Sequence, residues 1–124
     1  MKYISKKVIS VLVVVITCLL LTGCSSDHRL DNFAKCLKNK GAVLYTTYWC
    51  SNCKVQKDMF KDSVSKLKIV ECDPNGENSQ HLLCTKKNIQ SIPTWEFATG
   101  TIMIGVQELV TLEDQTGCKL PDEY

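Results

Sequence analysis

The chain has 124 residues, 44% of them hydrophobic, and a formal net charge of +2. That length suits one small domain, and so weak a charge excludes the basic stripe that nucleic acid demands. Eight cysteines in so short a chain point to thiol chemistry, a disulfide framework, or both.

The first stretch reads as targeting rather than fold. Lys2, Lys6 and Lys7 precede an apolar run from Val8 to Leu21, and Leu21, Thr22, Gly23, Cys24 close it. A basic region, an apolar region and small residues before a cysteine resemble a bacterial lipoprotein signal, whose lipobox ends at the cysteine that is diacylated and becomes the new N-terminus. The resemblance makes residues 1–23 a signal peptide, Cys24 the lipidation site and 24–29 a short polar tether that keeps the domain near a bilayer. An ordinary membrane anchor is the alternative, although about 14 residues fall short of the roughly 20 a spanning helix needs.

Cleavage before Cys24 discards Cys18 and leaves Cys36, Cys50, Cys53, Cys72, Cys84 and Cys118 in the domain. An even number suits an oxidising compartment. Three lysines leave with the signal, taking Lys+Arg from 15 to 12 against 13 Asp+Glu, so the domain is near −1. No nucleic-acid partner is expected.

The domain itself is expected over 30–118. Leu30, Phe33, Ala34 and Leu37 fall at the spacing of one buried helix face, and Gly41 is a stop signal. Cys36 lies beside that face. Ala42 to Tyr48 reads as a strand covered on both sides. It breaks into Trp49, Cys50, Ser51, Asn52, Cys53, which opens a helix to about Lys66. Val55, Met59, Phe60 and Leu67 are read as facing inward, with Lys54, Lys57, Lys61 and Lys66 on a wet face.

Leu67 to Cys72 is a second strand, ended by the turn Asp73, Pro74, Asn75, Gly76. A short helix over about Ser79 to Lys87 carries Leu82, Leu83 and Cys84. Ile92 and Pro93 lead into a strand over Thr94 to Phe97, and Thr99 and Gly100 turn it back into Thr101 to Gly105. A last helix, about Glu108 to Thr116, presents Leu109 and Leu112 inward and ends at Gly117, leaving 119–124 as a tail. The order αβαβαββα gives an α/β domain, a four-stranded mixed sheet with helices on both faces.

A cysteine where a strand passes into a helix sits beside unpaired N–H groups and the positive end of the helix dipole, which favour thiolate. Cys50 is therefore the expected nucleophile. Cys53, one turn on, is placed to resolve a mixed disulfide formed on it. Half of a zinc site and an inert bridge are the alternatives, but neither His28 nor His81 supplies a second half-site.

The element order, with Trp49, Cys50 and Cys53 at the end of the first strand and Ile92, Pro93, Thr94 before the third, resembles the thioredoxin fold. The likeness implies a cis proline at Pro93 and a backbone at Ile92 that pairs with substrate, with Trp49 at the same site. Phe33–Leu37, Tyr48–Cys50, Glu71–Gly76, Pro93–Glu96 and Gly105–Gln107 resemble one subgroup more closely: the thioredoxin-like domains fused to, or standing beside, bacterial and plant homologues of vitamin K epoxide reductase. That resemblance implies bridges beyond the active pair, assigned as Cys72 to Cys84 and Cys36 to Cys118 among 15 possible pairings.

Two departures stand out. Ser51 and Asn52 replace the usual Pro and His between the cysteines, and Leu44 occupies the position of the buried acid of cytoplasmic thioredoxins. The resemblance implies an extracytoplasmic, lipid-anchored thiol–disulfide oxidoreductase. It would need no cofactor, act on secreted protein thiols and disulfides as a monomer, and be recharged by a membrane partner of the vitamin K epoxide reductase or quinone reductase type. A reductase or isomerase is the alternative, and a copper- or zinc-binding protein the more distant one.

Overall fold

A computed structural model describes residues 26–124. The expected signal peptide, Cys18 and the lipidation site Cys24 lie outside the described residues. Helix α1 (Asp31–Asn39) buries Phe33, Ala34 and Leu37 on one face, with Leu30 buried just before it. It ends in a pair of crossed backbone bonds: the Ala42 N–H donates to the Leu37 carbonyl and the Gly41 N–H to that of Lys38, both at 3.0 Å. This closure needs a left-handed residue after the cap, which Gly41 supplies at φ 80°.

Strand β1 (Val43–Thr46) is buried along its whole length. It pairs in parallel with β2 (Ile69–Glu71) and antiparallel with β3 (Thr94–Glu96), which pairs antiparallel with β4 (Ile102–Ile104), giving the order β2-β1-β3-β4. The sheet is therefore mixed, with β1 in its interior.

Alternation along β1 splits the apolar residues between two layers. Leu44 joins Phe33, Leu37, Phe60, Trp95 and Leu112 under α1 and the last helix, α4 (Leu109–Thr116). Val43 and Tyr45 face the other way, toward Val70 and Cys84 of the short helix α3 (His81–Lys86). Helices thus cover both faces, in the thioredoxin-like arrangement that the element order implies.

The expected single helix from Cys50 to Lys66 is instead two pieces, α2 (Ser51–Asp58) and a 3-10 helix, Lys61–Lys66. Lys61 between them adopts φ 50°. Asp62, Ser63, Val64 and Ser65 are poor helix formers, and the Ser65 hydroxyl bonds the Asp62 carbonyl at 3.1 Å, tightening the turn. The break still delivers Phe60 to the core, between Phe33 and Trp95 at centroid distances of 6.1 and 6.2 Å.

Val55, expected to face inward, is 51% exposed. Cys53 and Gln56 hold the inward face instead, and two residues from Cys53 is about 200° around the helix. At the N-terminal edge, the Asp27 N–H donates to the Asp62 carboxylate at 2.7 Å, and the Asp27 carboxylate receives Lys61 and Arg29. The Arg29 guanidinium and the Lys61 ammonium hold its pKa well below the usual carboxylate range. The chain before α1 therefore lies against the 3-10 helix. Beyond α4, Leu120 of the tail packs on the main core.

Candidate active site: the Cys50–Cys53 pair

Strand β1 ends at Thr46, shorter than the expected run to Tyr48, because the chain turns there: the Cys50 N–H reaches back to the Thr47 carbonyl at 3.3 Å. That turn lifts Tyr48 and Trp49 out of the sheet, 63% and 62% exposed. Cys50 then caps α2. Its backbone is extended, and its Sγ accepts the Cys53 N–H at 3.1 Å. A cap position gives a sulfur both a direct N–H donor and the positive end of the helix, and both favour a thiolate released there.

The two cysteines are bonded, with Cα atoms 5.2 Å apart. Cys53 is fully buried while Cys50 is half-exposed. An incoming sulfur therefore meets Cys50 first, and Cys53 is the sulfur that leaves or returns.

The Ile92–Pro93 peptide bond is cis. Thr94 lies opposite Tyr45 in the β1–β3 register, so the buried Pro93 falls at the level of Thr46, at the end of β1 from which the chain runs to Cys50. Ile92, half-exposed, precedes it. The fold thus brings Trp49, Cys50, Cys53, Ile92 and Pro93 to one end of the sheet.

Trp49 is held over this end by its indole N–H, which donates to the Asp73 carboxylate at 2.7 Å. Asp73 also accepts the Asn75 N–H at 2.8 Å, and its turn closes through Gly76. These donors, Trp49 first, hold the Asp73 pKa below the ordinary carboxylate range.

Cys72, next to Asp73, is bonded to Cys84, and its N–H pairs with the Thr46 carbonyl at 2.8 Å. The Cys72–Cys84 bridge thus pins α3 to the end of β2 beside the turn that carries Trp49's partner. Cys36 is bonded to Cys118, tying α1 to the end of α4.

Leu44, at the place of the missing acid, is fully buried in the apolar layer. The nearest buried polar side chain on the Cys53 face of α2 is Gln56, which the sequence reading passed over in a lysine-rich helix. The signal available was its spacing of three residues from Cys53. On the opposite face Tyr45 donates to Glu96 at 2.6 Å, and Lys87 completes the cluster. The Lys87 ammonium and the Tyr45 hydroxyl lower the pKa of Glu96, and burial with the Glu96 carboxylate raises that of Tyr45. Among the described residues, no three His, Cys, Asp or Glu side chains converge as a metal-ligand set.

No protein-family model matches the chain. Over 104 residues, 81% of its length, it is 36% identical to the thiol-disulfide oxidoreductase LTO1 of Arabidopsis thaliana, of which it spans 27%. Among solved structures it is similar to the thioredoxin Mala s 13 of Malassezia sympodialis, at 17% identity and a TM-score of 0.45, covering 61% of this chain and 70% of that one. It is also similar to oxidised thioredoxin O2 of Arabidopsis thaliana, at 18% identity and a TM-score of 0.44, covering 72% of this chain and 86% of that one.

Proposed function

We propose that this chain exchanges disulfides with protein thiols through Cys50 and Cys53. The observation that carries the reading is an accessible Cys50 at the cap of α2, bonded to a fully buried Cys53. The thiol-disulfide oxidoreductase that is 36% identical over 104 residues supports it.

In the forward direction a substrate thiolate attacks Cys50 Sγ, the Cys50–Cys53 bond breaks, and Cys53 departs as a thiolate. A second substrate thiolate then attacks the substrate sulfur of the mixed disulfide and frees Cys50. Two electrons have passed from the substrate dithiol to the pair, and one S–S bond has moved the other way. The reverse sequence reduces a substrate disulfide.

The forward direction is the one we favour, with secreted proteins as substrates and a lipid anchor at Cys24 on the outer side of a bacterial membrane. The support is the lipobox-like run before Cys24, together with the Cys36–Cys118 and Cys72–Cys84 bridges, which suit an oxidising compartment. A membrane quinone reductase of the vitamin K epoxide reductase type is the proposed electron acceptor, on the resemblance of the motifs around Cys50, Cys72 and Pro93.

Equilibration of the Cys50–Cys53 pair against glutathione buffers tests the direction. An oxidant has a potential above that of the glutathione couple, and a value well below it reverses the assignment to a reductase. Metabolic labelling with palmitate in a bacterial host, comparing the native chain with Cys24→Ser, tests the anchor.

A further inference from the structure

Gln56 is fully buried in an apolar layer with Phe60 and Trp95. A glutamine there is disfavoured unless its amide is satisfied, and an aliphatic side chain of the same length would fill the space without that demand. Its bonds run to two other elements. Oε1 accepts the Gln107 N–H at 2.6 Å and the Trp95 indole N–H at 3.1 Å, while Nε2 donates to the Gln107 carbonyl at 3.0 Å. Nε2 also lies 3.6 Å from the Met59 sulfur. The side chain thus pairs with both backbone groups of Gln107, as a neighbouring strand would.

Gln107 follows Gly105, and the Gly105 N–H donates to the Pro93 carbonyl at 2.8 Å. A continuous path therefore runs from the Cys53 face of α2, through Gln56 and the 105–107 segment, to Pro93. Its two ends are the helix that carries the cysteines and the loop that carries Ile92 and Pro93.

We propose that Gln56 is a positioning residue that fixes the spacing between these two ends, and so governs reaction with peptide-length substrates rather than the intrinsic chemistry of the cysteines. This rests on the exchange activity proposed above. If, as the thioredoxin resemblance implies, a peptide bonded to Cys50 also pairs with the backbone at Ile92, both ends have to be in place together. A small disulfide needs only Cys50. Misplacement of about 1 Å between reacting parts lowers rates by as much as 100-fold.

The test uses the protein reduced at Cys50–Cys53 alone, with the Cys36–Cys118 and Cys72–Cys84 bridges intact, and two probes with the same leaving group: DTNB, and a peptide of about ten residues whose single cysteine is a mixed disulfide with thionitrobenzoate. In both, the Cys50 thiolate attacks one sulfur and thionitrobenzoate leaves. Cys53 then displaces what Cys50 has captured. For Gln56→Leu the expected result is a fall of about tenfold or more in the single-turnover second-order rate constant for the peptide, with the DTNB rate constant within twofold of native.

Gln56→Glu is the second variant, and it carries the test if the leucine variant does not fold. Its protonated carboxyl offers the same acceptor and donor as the amide, so its peptide rate relative to native is near one in mild acid and falls toward neutrality as the carboxyl ionises. Its relative DTNB rate stays flat. Equal losses on both probes would make Gln56 a general stabiliser of α2 and overturn the proposal, as would an unchanged peptide rate. A native protein that releases no thionitrobenzoate from DTNB removes the exchange reading itself, an outcome distinct from either.

Discussion

The two bridges outside the active pair close loops of very different length, and their removal is expected to differ accordingly. Cys36 and Cys118 are separated by 82 positions, Cys72 and Cys84 by 12. The loop-closure estimate gives the first about 4.5 kcal/mol and the second about 2.8 kcal/mol. Each bridge joins one buried cysteine, Cys118 or Cys84, to one half-buried one, Cys36 or Cys72. The packing lost in the paired substitutions Cys36→Ala/Cys118→Ala and Cys72→Ala/Cys84→Ala is therefore comparable, and the difference isolates the loop.

Urea unfolding of the two double variants, with Cys50–Cys53 kept oxidised, should place the long-loop variant about 1.7 kcal/mol below the short-loop one. For a domain of this size the gap corresponds to roughly 7–14 °C in Tm. Equal losses, or a larger loss for the short loop, would show that native-state geometry rather than chain entropy sets the stabilisation. Together the bridges contribute about 7 kcal/mol by this estimate, against the 5–15 kcal/mol of a typical domain. Full reduction should leave the chain marginally folded.

Phe60→Ala removes the ring between Phe33 and Trp95 and should destabilise the fold by about 3–5 kcal/mol in urea unfolding. Tyr45→Phe strips Glu96 of a charge-assisted bond and should cost about 1.5–3 kcal/mol at neutral pH. Tyr45 stays protonated throughout, and the Glu96 pKa is lowered in the fold. The penalty is therefore fully present above the ordinary glutamate range and shrinks as pH falls through the lower folded value, which unfolding at several pH values measures. Asp73→Asn weakens the hold on Trp49 and should change the indole emission at neutral pH. Because Asp73 is likewise more acidic in the fold, the native protein should show that change only as pH falls below the ordinary aspartate range.

The element order was legible because its signals are local. Leu30, Phe33, Ala34 and Leu37 repeat at helical spacing, Gly41 is followed by the closure it permits, and Asp73 accepts the Asn75 N–H in the turn its sequence announces. The rotation of α2 was not legible. Val55 is apolar and reads as core, whereas Gln56 reads as surface, and the order is reversed because Trp95 and Gln107, distant in sequence, receive the amide. The docking of Asp27 on Lys61 and Asp62 is non-local in the same way. Nor does spacing identify the bonded cysteines, since six allow 15 pairings; the pairing follows from how the sheet and helices bring the chain together.

The division of labour between an exposed sulfur and a buried one is tested most directly by trapping. Cys53→Ser, incubated with an oxidised protein substrate, should accumulate a covalent adduct through Cys50 that dithiothreitol releases, because capture proceeds and nothing returns to displace it. Cys50→Ser should form none. An adduct of equal yield in the Cys50→Ser protein, or no adduct in either, would contradict the assignment of Cys50 as the attacking sulfur.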